Sequence, residues 1–218
     1  MNAGKYIFSQ LVSFLPKRVF DDIVKRHEGD KWVKHFTCWN KLLVMMFGQL
    51  AGCDSLREVA AIIDAIKSKS YHLGFGSGDI KLSNLSYANA NRDYKIFEEF
   101  AYHMINLAKS KRITRPFVLN GKFYAFDSTT IDLCKSLLSF GGTSENAVRI
   151  QIYVAVITYC LVAIVEHDCQ LGRTTFNVLR VMSRVLTDKT SIRDHFKGSE
   201  TIEDADDETV QLQFEFKL

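Results

Sequence analysis

One carboxylate in this chain is placed as a catalytic or metal-binding group would be. Asp127 follows the run Lys122–Phe126, and three hydroxyls come directly after it, on Ser128, Thr129 and Thr130. A carboxylate at the end of a buried strand is costly unless something pairs with it, and a divalent cation is one such partner. Two-metal phosphoryl transfer asks for more, since several acids must converge on cations about 3.5–4 Å apart. From these residues alone the simpler reading is structural: Asp127 accepts N–H bonds in the turn that leaves the strand. Metal-ligand types also gather at His35 and Cys38, spaced i, i+3, and at Glu166-His167-Asp168-Cys169. Neither group has the second half that a zinc site requires.

The element that must position Asp127 is a hairpin. Asn120-Gly121 lies between the β-forming runs Phe117–Leu119 and Lys122–Phe126. Asn-Gly accepts the positive φ angles of a two-residue type I′ turn, so the stretch predicts two short paired strands.

At 218 residues, with 47% hydrophobic and 24% charged side chains, the chain can bury a substantial core and is not disordered overall. The net charge of +3 conceals an asymmetry. Residues 1–120 carry 18 Lys and Arg against 11 Asp and Glu, while residues 121–218 carry 10 against 14. A basic front half suits a nucleic-acid partner, although a solvated basic surface gives the same excess. Five irregularly spaced cysteines without a C-x-x-C, and no signal-like segment before Lys5 and Tyr6, lead us to expect reduced thiols and a cytoplasmic location.

The front half reads as helices. Residues 3–28 form two short ones divided at Pro16, with Gly29 stopping the second. Trp39, Leu42, Leu43, Met46, Phe47 and Leu50 recur at the spacing of a core helix. Ser55-Leu56-Arg57-Glu58 is a capping box opening another, with Val59, Ile62, Ile63 and Ile66 inward. After a Gly-rich loop at Gly74–Gly78, Ser83 or Ser86 caps a helix that runs on through Ile96, Phe100 and Leu107 to Lys109–Arg112. Asn84, Tyr87, Asn89, Asn91 and Arg92 fall near its first turns, and such side chains bond phosphates and base edges. Arg57, Lys81, Asn84, Asn89 and Arg92 are therefore the candidate DNA contacts.

Beyond the hairpin, Ile131–Phe140 is short and amphipathic, and Gly141–Asn146 is a loop rich in cap residues. Val148–Val165 is 18 residues of mostly apolar sequence, long enough to cross a bilayer. Arg149, Gln151, Thr158 and two tyrosines interrupt it, so we expect a central core helix and no membrane partner. Thr174 or Thr175 caps a last clear helix, an acidic run extends to Glu208, and Val210–Leu218 alternates as an edge strand would.

Several of these stretches together resemble the DDE transposases of bacterial insertion sequences, in the branch named after insertion sequence four. They are F-T-C-W-N-K-L-L-V-M-M-F-G-Q-L-A-G-C-D-S-L-R-E-V, L-S-Y-A-N-A-N-R-D-Y-K-I-F-E, F-Y-A-F-D-S-T-T-I-D-L-C and G-T-S-E-N-A-V-R-I-Q-I-Y-V-A-V-I-T-Y-C-L-V, spread over residues 30–165 in the family's order. The resemblance implies a mainly α chain: a helical DNA-binding domain over residues 1–115 and the first strands of an RNase H-like catalytic core over 116–140. The core's C-terminal helices and an acidic tail would occupy 141–218. It makes Asp127 the first of three catalytic carboxylates, binding Mg2+, and makes duplex DNA, at the element's terminal inverted repeats, the partner. The family places the second Asp and a helix with Tyr-x-x-Arg-x-x-x-Glu between the third and fourth stretches, whereas here Phe140 runs directly into Gly141. None of the eight tyrosines has an arginine three residues later. The sequence thus reads as an internally deleted transposase truncated to one catalytic acid. A DNA-binding remnant is expected; the alternatives are an active metal-dependent strand-transfer enzyme using another set of carboxylates, a small DNA-binding regulator of transposition, and a small membrane protein. With core strands missing, Val148–Val165 is expected to be poorly covered and to drive homo-oligomerisation.

Overall fold

The computed structural model describes residues 4–76, 79–111 and 144–197. Among these the protein is mainly helical, and no strand occurs. The hairpin, Asp127, the Ile131–Phe140 segment, the acidic run and the C-terminal alternating segment lie outside the described residues.

α1 (Ile7–Val12) and α2 (Lys17–Arg26) are separated at Pro16, which stands at the N-cap of α2, one position before the expected place. The exit from α2 shows why a glycine follows it. Glu28 takes the left-handed conformation at φ 48°, and the Gly29 amide reaches back to the Val24 carbonyl at 2.9 Å. This is a Schellman ending with glutamate at the strained position, where glycine would be easier. Gly29 serves close packing instead, because a Cβ there would lie 2.3 Å from Ile96 Cδ1 and 3.1 Å from Cys38 Sγ.

α3 (Cys38–Leu50) is the expected core helix, capped by Thr37 accepting from the Asn40 amide at 3.2 Å. Its close neighbour α4 (Leu56–Ala65) begins with the expected capping box in a variant form. Ser55 Oγ accepts from the Glu58 amide at 3.2 Å, and the Glu58 carboxylate accepts from Asp54, one residue before the cap, at 2.7 Å. A Cβ on Gly48 would lie 2.4 Å from a Val59 methyl, so the absence of a side chain sets how closely α3 and α4 approach. A short 3-10 turn (Lys67–Lys69) and the single turn α5 (Ser70–Leu73) follow, closed by Gly74 at φ 90°.

The long helix expected from Ser83 to Lys109 is two helices. α6 (Leu82–Asn91) starts after Lys81 with no side-chain cap, and α7 (Tyr94–Lys111) starts after a corner at Arg92 and Asp93. Arg92 is extended at ψ 137°, which ends α6. Asp93 Oδ1 accepts from the Lys95 amide at 2.9 Å, as an N-cap does for α7. Asn146, far away in sequence, completes the corner: its Nδ2 donates to the carbonyls of Ala90 at 3.0 Å and Arg92 at 2.7 Å. No local pattern foreshadows a cap supplied from 50 residues downstream.

α8 (Glu145–Cys169) is capped by Ser144 and runs through the middle of the bundle. It packs most extensively on α7 and also meets α3, α6, α1 and α9 (Thr175–Val185). Asn146 and Tyr153 meet the N-terminal end of α7, while Asp168 pairs with Lys111 at its C-terminal end, so the two helices run parallel. α8 is long and apolar enough to cross a membrane, yet the residues that make it so are spent on packing: Ile150, Val154, Ile157, Leu161, Val162 and Val165 are all buried. The expected poor coverage of this helix is corrected, because its neighbours are the front-half helices themselves. One hydrophobic core runs from Tyr6 to Phe196, and the helices on either side of residues 112–143 share it.

Thr174 caps α9 as expected, and α10 (Ile192–Lys197) is a further short helix. The segment between them clasps the start of the chain. The carbonyls of Asp188 and Leu186 accept from the amides of Ile7 at 2.8 Å and Phe8 at 3.1 Å, donors that α1 cannot satisfy internally. Buried Gln10 adds bonds to the Thr190 carbonyl and the Ile192 amide.

Candidate nucleic-acid interface

α6 presents two chemically different sides. Leu85, Ala88 and Asn89 face inward at helical spacing. Ser83, Asn84, Tyr87 and Asn91 are exposed, with Lys81 just ahead of the first turn, and the helix carries no carboxylate. The Tyr87 ring is 72% exposed, so it is presented to solvent and contributes little to the core. Asn91 donates back to the Tyr87 carbonyl at 2.9 Å, which orients its amide along the same side. Neutral hydrogen-bonding groups flanked by a lysine can meet base edges and phosphates without paying for desolvated like charge.

Beside the start of α6 lies a hollow of about 210 Å³ whose lining includes Lys67, Tyr71, Asp79 and Lys81. Tyr71 is 73% exposed there. Two acids, Asp64 and Asp79, also line it; Asp79 bonds Lys67 at 2.6 Å, and that hydrogen bond holds its carboxyl below the usual range. Lys81 enters no ion pair among the described residues. Lys67 and Tyr71 were not among the expected contacts; the basic-aromatic run K-S-K-S-Y-H between two apolar helices was the available signal.

Of the five expected DNA contacts, Arg57, Lys81 and Asn84 are exposed. The other two are corrected in their placement. Asn89 is buried in the side of α6 facing the core, where neither polar atom of its side chain has a hydrogen-bond partner among the described residues. Arg92 is turned inward and donates to the Gly29 carbonyl at 2.6 Å and the Phe36 carbonyl at 2.7 Å, tying the end of α6 to the loop before α3. Period 3.6 puts residues 85, 88, 89 and 92 on one side of the helix, and that side packs. Asp127, the expected catalytic and metal-binding residue, lies outside the described residues.

Buried titratable groups serve the fold. Lys41 is completely buried in α3, donates to the Ala88 carbonyl at 2.9 Å and lies 5.0 Å from the Phe97 ring centroid. Burial drives its ammonium well below the usual range. The same burial, helped by Asp30, pushes the Cys38 thiol up to about 12, so it is no nucleophile. His167 and Lys111 both bond Asp168, and among the described residues no three His, Cys, Asp or Glu side chains converge as a metal site.

No curated protein and no solved structure matches the chain. Residues 3–76, from the approach to α1 through α5 and the glycine loop after it, match a family described as a domain of unknown function (DUF4372).

Proposed function

We propose that this protein is a DNA-binding remnant of an insertion-sequence transposase, keeping helices that contact duplex DNA and lacking the second and third catalytic acids. The exposed side of α6 carries the reading. Ser83, Asn84, Tyr87 and Asn91 offer donors and acceptors there, Lys81 and Lys67 lie at one end, and no acid occurs on the helix. Two further observations support it: the resemblance over residues 30–165, and the match of residues 3–76 to a domain commonly found in transposase-like proteins. The expected target is duplex DNA at an element's terminal inverted repeats, met in the cytoplasm. Asp127 would act in a turn, since one carboxylate holds Mg2+ only loosely when no second charged ligand is near.

The test uses the full chain, because α8 covers the core side of α7 and a fragment ending at residue 115 would lose it. Affinity for a short mixed-sequence duplex should fall steeply with salt, each neutralised phosphate adding about 0.9 to the negative log–log slope. An affinity indifferent to salt, or absent, overturns the proposal. With Mg2+ or Mn2+ added, the duplex should remain intact. Nicking that disappears in Asp127→Asn would restore the strand-transfer reading.

A further inference from the structure

The loop between α2 and α3 holds Trp32 in a position that the fold itself does not need. Its indole is 90% exposed and makes no ring contact with any described residue. Its backbone is left-handed at φ 65°, a conformation that bulky L residues rarely adopt. The loop is nonetheless firmly held at its base. Asp30 Oδ1 accepts from the Cys38 amide at 2.7 Å, the Val33 amide bonds the Asp30 carbonyl at 3.0 Å, and Arg92 grips the carbonyls of Gly29 and Phe36 on either side. A strained, anchored loop that holds a large aromatic in water is built to present it. Arg92 is also the residue that ends α6, so the loop is fastened to the C-terminal end of the helix proposed to meet DNA. The tip carries Lys31, Lys34 and His35; Glu28 is paired with Lys31 at 2.7 Å, and Lys34 is exposed and has no carboxylate partner among the described residues.

We infer that Trp32 is a DNA-contacting residue that stacks on a base exposed by local unstacking of the duplex held by α6, with Lys34 on the adjoining phosphate. The inference rests on the DNA-binding reading above and adds a second contact arm to it. Once a step is unstacked, any base offers a free π-face, so an indole can stack without reading sequence, while a neighbouring cation holds the backbone.

The experiment titrates the full-length protein with a short mixed-sequence duplex. In Trp39→Phe, Trp32 is the only indole left of the two, and its emission should be quenched as the duplex binds. Trp32→Ala should weaken binding about tenfold with the salt slope unchanged, and Trp32→Phe should recover most of the loss. Lys34→Ala should lower the salt slope by about one phosphate contact. Wild-type affinity in Trp32→Ala, or emission unmoved at saturating duplex, overturns the inference while leaving DNA binding in place. Full affinity in Trp32→Leu also overturns it, since leucine is apolar but cannot stack. If the wild-type protein binds no duplex, the proposed function and this inference fall together.

Discussion

Asn146 donates from Nδ2 to the Arg92 carbonyl at 2.7 Å and accepts at Oδ1 from the Tyr94 amide at 3.2 Å, so one side chain closes the end of α6 and the start of α7 together. Helix ends carry unsatisfied carbonyls and amides, and a side-chain amide is a neutral group that can serve both kinds at once. Asn146→Ala should therefore cost about 1–3 kcal/mol, the penalty for leaving such groups unpaired. Asn146→Asp should cost at least as much, because a carboxylate would face the same carbonyls with no donor. Urea unfolding reads the effect as a shift in midpoint at constant slope.

Asn84 and Arg92 separate contact from scaffold. Asn84 is exposed on α6, so Asn84→Ala should weaken duplex binding and leave thermal stability within about 0.5 kcal/mol of wild type. Arg92 holds two loop carbonyls, so Arg92→Lys should lower stability first, since a single ammonium cannot reproduce the forked geometry. Equal stability of the two variants would contradict this division.

Lys41 makes stability depend on pH. Burial lowers its pKa in the fold well below the ordinary value of 10.5 that it keeps in the unfolded chain. The unfolded state thus holds more protons, and this group's contribution to stability rises as pH rises toward 10.5. Lys41→Met should stabilise the protein at neutral pH, and the gain should shrink as pH rises. The buried Cys38 and Cys53 thiols act in the opposite sense, and Cys38 also interacts with Lys41, so the comparison is read below about pH 8, where both thiols hold their protons folded and unfolded. A gain that does not vary with pH would mean Lys41 is charged in the fold.

Glu28 and Gly29 should respond in opposite directions. Glu28→Gly relieves a left-handed residue and should stabilise by up to about 1 kcal/mol, because only an exposed ion pair with Lys31 is lost. Gly29→Ala places a methyl 2.3 Å from Ile96 Cδ1 and should lower the melting temperature.

Helix positions followed from sequence wherever a local rule was strong. Ser55 and Thr174 cap the helices expected of them, and Leu42, Leu43, Met46, Phe47 and Leu50 of α3 with Val59 and Ile63 of α4 are buried as their spacing selects, while Trp39, Ile62 and Ile66 pack half-buried against the core. Those rules act within a turn or two of helix, so composition and period alone express them. Tertiary contacts decided the rest. α6 and α7 read as one helix because nothing between Leu82 and Lys111 forbids it; the break depends on Asn146 arriving from α8. Asn89 and Arg92 looked like surface contacts because their chemistry suits DNA, but packing turned that side of α6 inward. Val148–Val165 is equally apolar whether lipid or protein surrounds it, and only the parallel placement of α7 beside α8 showed which side chains cover it.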